Sequence, residues 1–345
     1  MKILATPHVE HYTLGLYNSL PHLGVKVSLV TLQRKYPVAA RQYVAPRVPV
    51  PRGRTLAQHA FLTLLARFYD VVHTNNSSEG AATYAYDKLL VTQHGCPDPN
   101  AVEENVRWFY KKEKENLIHL YEIGVPIVTI SYFSEKEIRE KIGVKVTKVI
   151  YHGLLDIFKN TKYRSFRQQH IILWISRLIQ FKEPFVLLKA VKMLKGKLDF
   201  TLIIRGEGPL RNTMYKYLKS HGLEKSVVFL ERVPFEHLPL LYRRATVYVH
   251  TCSREPFGLS VLEAMGSGLP VVVPDSGGAA EVAADAGLKF KPGDAEDLAD
   301  KLLAVMQDPE LYERLSAKSI ERASAFSWEK AAEDYLELYK KVGGW

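Results

Sequence analysis

The sequence has few cysteines, no long apolar run and no low-complexity tract, and each absence narrows the protein class. Only two of its 345 residues are cysteines, Cys96 and Cys252, which are too few for a disulfide framework and lie outside any Cys-x-x-Cys metal spacing. No window approaches the ~18 uninterrupted apolar residues of a membrane span, and the amino terminus lacks a signal-peptide pattern. We therefore expect a soluble, cytoplasmic protein in which both cysteines are small buried side chains.

Acidic residues are absent from a long early segment, in a chain whose formal net charge is +10. Between Glu10 and Asp70 every charge is positive, on Lys26, Arg34, Lys35, Arg41, Arg47, Arg52, Arg54 and Arg67. Two interpretations stay open, an ordinary solvated surface or a surface for an anionic partner such as lipid headgroups or a phosphate-bearing substrate. No zinc-finger, helix-turn-helix or RNA-binding aromatic signature accompanies the charges, so nucleic acid is not an expected partner.

Short apolar strands alternate with amphipathic helical patterns through most of the chain. The first half predicts strands at 2–7, 26–31, 71–75, 89–94, 126–131 and 148–153, with helices over 13–23, 56–69 and 102–123. The second half predicts strands at 171–176, 200–205, 227–230, 246–251, 270–274 and 288–292, with helices near 184–195, 209–221, 236–244, 258–267 and 278–284. Continuous Val, Ile and Leu runs are typical of strands buried on both faces of a parallel sheet. The fold class is therefore α/β, with two Rossmann-like doubly wound domains.

Length and composition also favour two domains, because 345 residues at 47% hydrophobic exceed one ordinary core. We place the first domain at 1–153 and the second at 154–327. The polar and aromatic stretch 154–170 is interpreted as a linker. The tail predicts three helices, broken at 308–310 and 325–329, and its last segment, 328–345, is expected to return to the first domain. Ligands of such folds bind at the carboxyl ends of the strands.

The segment SREPFGLSVLEAMGSGLPVVVPDSGG, residues 253–278, places two glutamates around a predicted helix start. The first amides of that helix, at Gly258 and Leu259, lack helical partners and favour an anion. Glu263 lies little more than a turn later, where a carboxylate can bond the vicinal hydroxyls of a ribose. Glu255, ahead of the helix, is expected to face the other end of the ligand. This order of protein groups fits a ligand whose phosphates lie between two sets of hydroxyls. A nucleotide sugar is such a ligand.

The same segment, with its E-x(7)-E spacing, resembles the donor-site signature of retaining GT-B glycosyltransferases, the group 1 or family 4-like transferases. LWISRLIQFKEP resembles the family's loop whose Arg177 and Lys182 face the diphosphate, IIRGEGP resembles its Gly-x-Gly-Pro turn, and ERVPFEHL resembles its base-side loop. The resemblance covers 125–345; over 1–124 it rests on topology and on VTQHG, whose His94 matches a histidine that bonds the sugar.

The resemblance implies a cleft between two domains, with the acceptor on the first and the donor on the second. It assigns catalytic roles to His94, Arg177, Lys182 and Glu255, and donor binding to Gly206, Glu207, Val233, Phe257, Gly258, Leu259 and Glu263. It also implies transfer with retention of anomeric configuration, no cofactor and no metal; His8 and His11 have no evident third ligand. The chain departs from the family in three places: no Gly-Gly pair follows the first strand, Glu183 replaces a glycine, and His152 replaces an asparagine.

Two other functions remain as alternatives. A nucleotide-sugar epimerase or hydrolase on this fold would need no acceptor, and a degenerate transferase would only bind its partners. The run RQYVAPRVPVPRGR, residues 41–54, alternates arginines with apolar residues. We hypothesise that this run lies on an anionic membrane or holds a lipid-linked acceptor, which would place the protein peripherally on the inner membrane surface.

Overall fold

The computed structural model describes residues 1–31, 36–45, 53–83, 85–160, 162, 164–166 and 168–345, with the backbone alone for 53–57. The chain divides into two compact units. Unit 1 comprises Met1–Gly153 and Phe326–Trp345, and unit 2 comprises Leu154–Ala325. Unit 2 thus ends at Ala325, where the sequence predicted residue 327.

Unit 1 is a parallel sheet of seven strands with helices on its faces. In chain order it contains β1 (Lys2–Ala5), α1 (Glu10–Ser19), β2 (Lys26–Thr31), β3 (Arg41–Val44), α2 (Gly53–Ala66), β4 (Val71–Thr74), α3 (Ser77–Ala81), β5 (Leu89–Gln93), α4 (Glu104–Glu122), β6 (Ile127–Thr129), α5 (Tyr132–Ile142) and β7 (Lys148–Val149). The strand order is β3-β2-β1-β4-β5-β6-β7. In the central register, Ile3 pairs with Val27 on one side and Val71 on the other.

Unit 2 repeats this plan with six parallel strands. It contains β8 (Ile171–Ile175), α6 (Pro184–Leu194), β9 (Thr201–Arg205), α7 (Arg211–Ser220), β10 (Val227–Leu230), α8 (Leu238–Arg244), β11 (Val247–Val249), α9 (Leu259–Gly266), β12 (Val271–Pro274), α10 (Gly277–Ala283), β13 (Leu288–Phe290), α11 (Ala295–Gln307) and α12 (Pro309–Ser324). The strand order is β10-β9-β8-β11-β12-β13, and Leu173 of β8 pairs with Ile203 and Tyr248. The last helix, α13 (Trp328–Val342), belongs to unit 1.

In each unit the strand order reverses beside the first strand. The reversal lies between β1 and β4 in unit 1 and between β8 and β11 in unit 2. Loops that leave the carboxyl ends of such neighbouring strands diverge to opposite faces of the sheet, and the crevice between them is where ligands bind in this class of fold. We therefore expect a ligand site among the residues that follow β1 and β4 in unit 1, and β8 and β11 in unit 2.

Residues 154–160 belong to unit 2 and contribute buried side chains to it, so the interpretation of 154–170 as a linker was wrong for this part. Leu154 and Phe158 are buried, and Phe158 lies edge-on to Tyr242 of α8 with ring centroids 5.8 Å apart. A Cβ on Gly266 would approach Leu154 Cδ2 to 2.3 Å, so this helix end has no room for a side chain. Burial of these apolar side chains fixes the stretch, because removing them from water stabilises the packed state.

No helix among the described residues is both long and apolar enough to cross a membrane.

Candidate functional site

The loops after β8 and β11 bring three polar side chains together. Lys182 lies in the short turn Gln180–Lys182 that follows β8, and its Nζ is 2.6 Å from Glu255 Oε2. His250 directly follows β11, and its Nε2 lies 3.2 Å from the same carboxylate oxygen. Two of these residues were expected to bind the ligand; His250 was not, because nothing in a lone histidine after a strand reveals its partner. The three form a charged cluster at the carboxyl edge of unit 2.

The electrostatics of this cluster favour an ionised Glu255. Burial opposes ionisation, but the Lys182 ammonium and the His250 ring outweigh it and hold the pKa of Glu255 below its usual range. Burial likewise acts to lower the pKa of Lys182, and the Glu255 carboxylate raises it above its ordinary value. Each charge therefore stabilises the other at neutral pH. The cluster holds an ammonium and a carboxylate, and neither is poised to exchange a proton.

The loop that carries Glu255 is held in place by close backbone packing. The Gly278 amide donates to Glu255 O at 2.7 Å. Gly277 has φ +80°, and a Cβ there would lie 2.9 Å from Ser253 O and 3.2 Å from the Glu255 amide nitrogen. The Gly277–Gly278 pair, at the end of the segment 253–278, therefore allows α10 to begin directly against this loop.

Glu183, which stands where the family commonly has glycine, keeps the backbone conformation that glycine favours. Its φ is 51° and ψ 45°, in the left-handed region. Its carboxylate accepts a hydrogen bond from the Ser253 amide at 2.8 Å and another from the Ser253 hydroxyl. These bonds offset the strain of a side chain in that region, which costs about 1 kcal/mol or more. The substitution therefore links the Lys182 loop to the Glu255 loop.

Helix α9 begins one residue later than predicted, at Leu259, with Gly258 as its cap at φ +102°. Its first amides, at Leu259 and Ser260, precede any carbonyl in the same helix to which they could donate, so they are available to an anion. The Phe257 side chain is buried. Glu263 is also buried, and its Oε2 accepts a hydrogen bond from the Tyr242 hydroxyl at 2.7 Å.

The turn after β9 requires glycine where it meets the loop after β8. Gly206 has φ +153°, and a Cβ there would lie 1.8 Å from Ser176 O, so only glycine lets the two loops touch. Glu207 is exposed and its Oε1 lies 3.3 Å from Arg232 Nε. The Val233 carbonyl accepts a hydrogen bond from Arg205 at 3.3 Å. These residues form the β9 and β10 side of the same edge.

Three side chains approach the geometry of a metal site. Ligand atoms of His250, Cys252 and Glu255 all lie within 4.8 Å of one another. Burial raises the pKa of the Cys252 thiol to about 12, with Glu255 adding to the effect, so the thiolate that a metal needs is disfavoured. The Lys182 ammonium already neutralises Glu255, and a cation would have to displace it. The donor set therefore fits an ammonium better than a metal.

Cys96 is only partly buried, contrary to the sequence prediction.

His94 of unit 1 follows β5 and is fixed by Asn75, which follows β4. The Asn75 amide nitrogen donates to the Thr6 carbonyl and, at 3.0 Å, to the Tyr17 hydroxyl. The amide oxygen must then face His94, whose Nε2 lies 3.0 Å from it. Since that oxygen only accepts, Nε2 carries the proton, and in a neutral ring Nδ1 carries the lone pair.

His94 is held in its neutral form. Burial, reinforced by the neighbouring His8 ring, lowers its pKa well below the ordinary value. The two imidazoles are stacked with centroids 3.7 Å apart. Burial also lowers the pKa of His8 to about 4. The sequence indicated His94 through the family resemblance of VTQHG, but neither Asn75 nor the stacked His8 could be paired with it from sequence.

The predicted residues thus divide between two places. Unit 2 gathers most of them at one sheet edge. The exposed Arg177 follows β8 there, and its charge opposes part of the rise that Glu255 causes in the pKa of Lys182. His94 belongs to unit 1.

Comparison with known proteins matches a separate family model to each half of the chain. A family model described as glycosyl transferases group 1 matches residues 156–322. A second, described as glycosyltransferase family 4, matches residues 9–154. Together the two models span almost the whole chain.

Curated relatives are glycosyltransferases by name, and a solved structure shares the fold. The O-antigen chain mannosyltransferase B of Escherichia coli is 28% identical over 277 residues, covering 76% of this chain and 70% of that protein. The D-inositol 3-phosphate glycosyltransferase of Nocardia farcinica is 31% identical over 179 residues, covering 49% of this chain and 40% of that protein. The structure of Anabaena HepE with UDP and glucose superposes with a TM-score of 0.78 at 19% identity, covering 98% of this chain and 99% of that one. The chain therefore belongs to the group 1 glycosyltransferases and has the two Rossmann-like domains of the GT-B fold.

Proposed function

We propose that the protein transfers a hexose from a nucleoside diphosphate sugar to an acceptor hydroxyl, with retention of anomeric configuration and without a metal. The observation that carries this proposal is the cluster of Lys182, Glu255 and His250, in which Glu255 lies three residues ahead of Gly258, the cap of α9. A fixed ammonium and a helix N-terminus on one sheet edge suit a diphosphate. A partly buried, ionised carboxylate beside them suits the hydroxyls of a sugar.

In the proposed reaction the bond between the anomeric carbon and the diphosphate oxygen breaks while the acceptor oxygen bonds to that carbon on the same face. The acceptor proton passes to the departing phosphate oxygen, so charge and atoms balance. Negative charge grows on the diphosphate, where Arg177, Lys182 and the first amides of α9 would receive it. Fixed donors of this kind typically contribute ~2.7–4 kcal/mol each to the transition state.

Glu255 has a different role in this proposal. Since its pKa is lowered by Lys182 and His250 against the effect of burial, it has no proton to give at neutral pH. It can accept hydrogen bonds from sugar hydroxyls and favour positive charge at the anomeric carbon. Glu263, one helical turn inside α9, would bond the ribose hydroxyls. His94 is assigned to the sugar by family resemblance, as a neutral ring.

We propose an acceptor that carries a lipid or a phosphate, on the cytoplasmic face of a membrane. Two observations support this: the formal charge of +10, and the name of a relative that extends an O-antigen chain. The segment 41–54, which we hypothesised to touch the membrane, lies partly outside the described residues. Arg41 begins the edge strand β3, while residues 46–52 and the Arg54 side chain are not described.

The proposal is tested by supplying labelled UDP, GDP and ADP sugars, one at a time, with a lipid extract. We expect one donor to yield label in the lipid phase, with the anomeric configuration of the donor. Free sugar or an epimerised donor without any acceptor product would instead identify a hydrolase or epimerase. If no donor is consumed while nucleotides still bind, the protein is a non-catalytic binder.

A further inference from the structure

Glu79, in the short helix α3, places a partly buried carboxylate where the strand order of unit 1 reverses. Its Oε2 accepts a hydrogen bond at 2.6 Å from the hydroxyl of Thr6, which follows β1. The same oxygen lies 3.4 Å from the amide nitrogen of Asn75, which follows β4. The other oxygen, Oε1, accepts a bond from Gln58 Nε2 of α2 at 3.3 Å. Glu79 therefore joins the two strand ends at the reversal to a helix, and the proposed reaction gives it no role.

Each of these three neighbours is a donor toward Glu79. The backbone amide of Asn75 has only a hydrogen to offer. The nitrogen of the Gln58 side chain also faces the Val30 carbonyl at 3.4 Å, which holds it as a donor. The Thr6 hydroxyl oxygen accepts from the Asn75 amide at 3.0 Å, and its single hydrogen is left for Glu79. Only a carboxylate accepts at both oxygens, so Glu79→Gln would set a donor against one of these donors.

Thr6 links this carboxylate to His94 through Asn75. The Thr6 hydroxyl accepts from the backbone amide of Asn75, and the Thr6 carbonyl accepts from its side-chain nitrogen. That carbonyl also accepts from the Tyr17 hydroxyl at 2.9 Å, and the Tyr17 oxygen takes the second hydrogen of the Asn75 side chain. Both amide hydrogens are thus used, and the amide oxygen faces His94 Nε2 at 3.0 Å. The position of the proton on His94 therefore depends on how Thr6 holds Asn75.

We infer that Glu79 is a positioning residue for His94, which it orients through Thr6 and Asn75. Without the acceptor at Glu79, the Thr6 hydroxyl turns to another partner and its bond to the Asn75 amide weakens. The Asn75 side chain is then free to turn over, which would present its nitrogen to His94 and move the proton from Nε2 to Nδ1. A role in capping α3 alone does not account for the bonds from Thr6 and Gln58, because both lie outside that helix. This inference rests on the proposed function, in which His94 meets the sugar.

The charge of Glu79 gives the inference a direct signal. Burial raises the pKa of Glu79 to about 7; the hydrogen bonds to its Oε2 oppose the rise, and the Glu113 carboxylate of α4 adds to it. Tyr17 of α1 is a titratable neighbour as well, and burial holds its pKa well above the usual value. The pKa of His94 lies well below its ordinary value. A change in the ring signals of His94 near pH 7 would therefore report the charge of Glu79.

The test is nitrogen NMR of the histidine rings in the whole protein between pH 5 and pH 9, with the His94 signals identified by their loss in His94→Gln. We expect the parent to carry the His94 proton on Nε2 at high pH and to show a step near pH 7. Glu79→Gln should abolish the step and move part of the population to the Nδ1 form. Thr6→Val, which removes the hydroxyl and keeps the shape, should act in the same way, whereas Thr6→Ser should resemble the parent.

The matched control is Glu113→Gln, which changes a second carboxylate that bonds α3. Glu113 is buried and accepts from the Ser77 hydroxyl at 2.7 Å and from the Ser78 amide at 3.2 Å. Its loss should leave the His94 proton on Nε2. Because the Glu113 charge opposes ionisation of Glu79, the step in the His94 signals should move to lower pH. Identical His94 signals in the parent and in Glu79→Gln, or an equal change in Glu113→Gln, would overturn the inference.

Activity provides a separate measurement. Glu79→Gln should lower kcat about tenfold to hundredfold, the scale on which a displaced catalytic group reduces rate. Nucleoside diphosphate binding, measured by calorimetry, should match that of the parent, because unit 2 is proposed to bind the nucleotide. An unmoved His94 proton in Glu79→Gln refutes the positioning role whatever the activity. A parent protein that shows the expected His94 signals but transfers no sugar would refute the proposed function and leave the positioning role standing.

Discussion

Variants of Lys182 and Glu255 can separate the effect of this ion pair on the stability of the protein from its effect on sugar transfer. Their charged atoms are 2.6 Å apart, and the two side chains are only 12% and 16% exposed. Lys182→Met should leave the carboxylate with little solvent and without its cation. Losing one partner of a buried ion pair costs about 3–5 kcal/mol, and the residual exposure here favours the lower end, about 3 kcal/mol.

Glu255→Gln on top of Lys182→Met should recover most of that loss, because the double variant buries no uncompensated charge. The pH dependence follows from the same reasoning. In Lys182→Met, burial should raise the pKa of Glu255 above its unfolded value, so the folded state binds a proton more readily than the unfolded state. The loss of stability should then be full at neutral pH and shrink as the pH falls through the raised folded-state pKa.

The assay is urea denaturation of the parent, both single variants and the double variant at pH 7 and pH 5. Sugar transfer is measured on the same samples, and it should fall about 10²–10³-fold in Lys182→Met and stay low in the double variant, because the charge that faces the diphosphate is gone. If Lys182→Met unfolds like the parent, or if the double variant is no more stable than Lys182→Met, the two residues are not coupled as described.

Three further predictions concern single features of the site. Glu263→Ala should weaken nucleoside diphosphate binding by ~1.5–3 kcal/mol in calorimetry, while Glu263→Gln, which keeps a partner for the Tyr242 hydroxyl, should weaken it less; unchanged affinity in Glu263→Ala would exclude the ribose role. Sugar transfer should persist in excess EDTA, since the Lys182 ammonium stands beside the Glu255 carboxylate, and activity lost on chelation and restored by Mg²⁺ or Mn²⁺ would contradict this. Asn75→Asp should raise the pKa of His94, because a carboxylate would replace the amide oxygen that faces Nε2; an unmoved His94 titration in NMR would show that Asn75 does not set its protonation.

Most of the fold could be predicted from the sequence, because strands buried on both sheet faces appear in it as short apolar runs. β5 (LLVTQ) and β12 (VVVP) each begin with a run of three apolar residues, and every residue in both strands is buried. β3 was not predicted, because it lies at the sheet edge and lacks this pattern: its two end residues are exposed, its two middle residues are half-buried, and RQYV has no apolar run. An edge strand is defined by its hydrogen bonds to β2, which composition does not record.

The site was predictable only where local backbone geometry is tied to residue type. Gly258 marks the start of α9 because the left-handed φ at that cap favours glycine. The partners of Glu255 were not predictable, since Lys182 lies 73 residues away and meets it only when β8 and β11 pair. Asn75 and His94 meet in the same way, through the neighbouring strands β4 and β5.

The central claim is that unit 2 binds a nucleoside diphosphate sugar through its diphosphate and ribose. The most direct measurement is calorimetry with UDP, GDP and ADP, without metal, on the parent and on Glu263→Ala. We expect saturable binding of at least one of the three nucleotides by the parent. Glu263→Ala should bind that nucleotide about ten- to hundredfold more weakly. No binding of any of the three by a folded parent protein, or equal binding by the variant, would contradict the account.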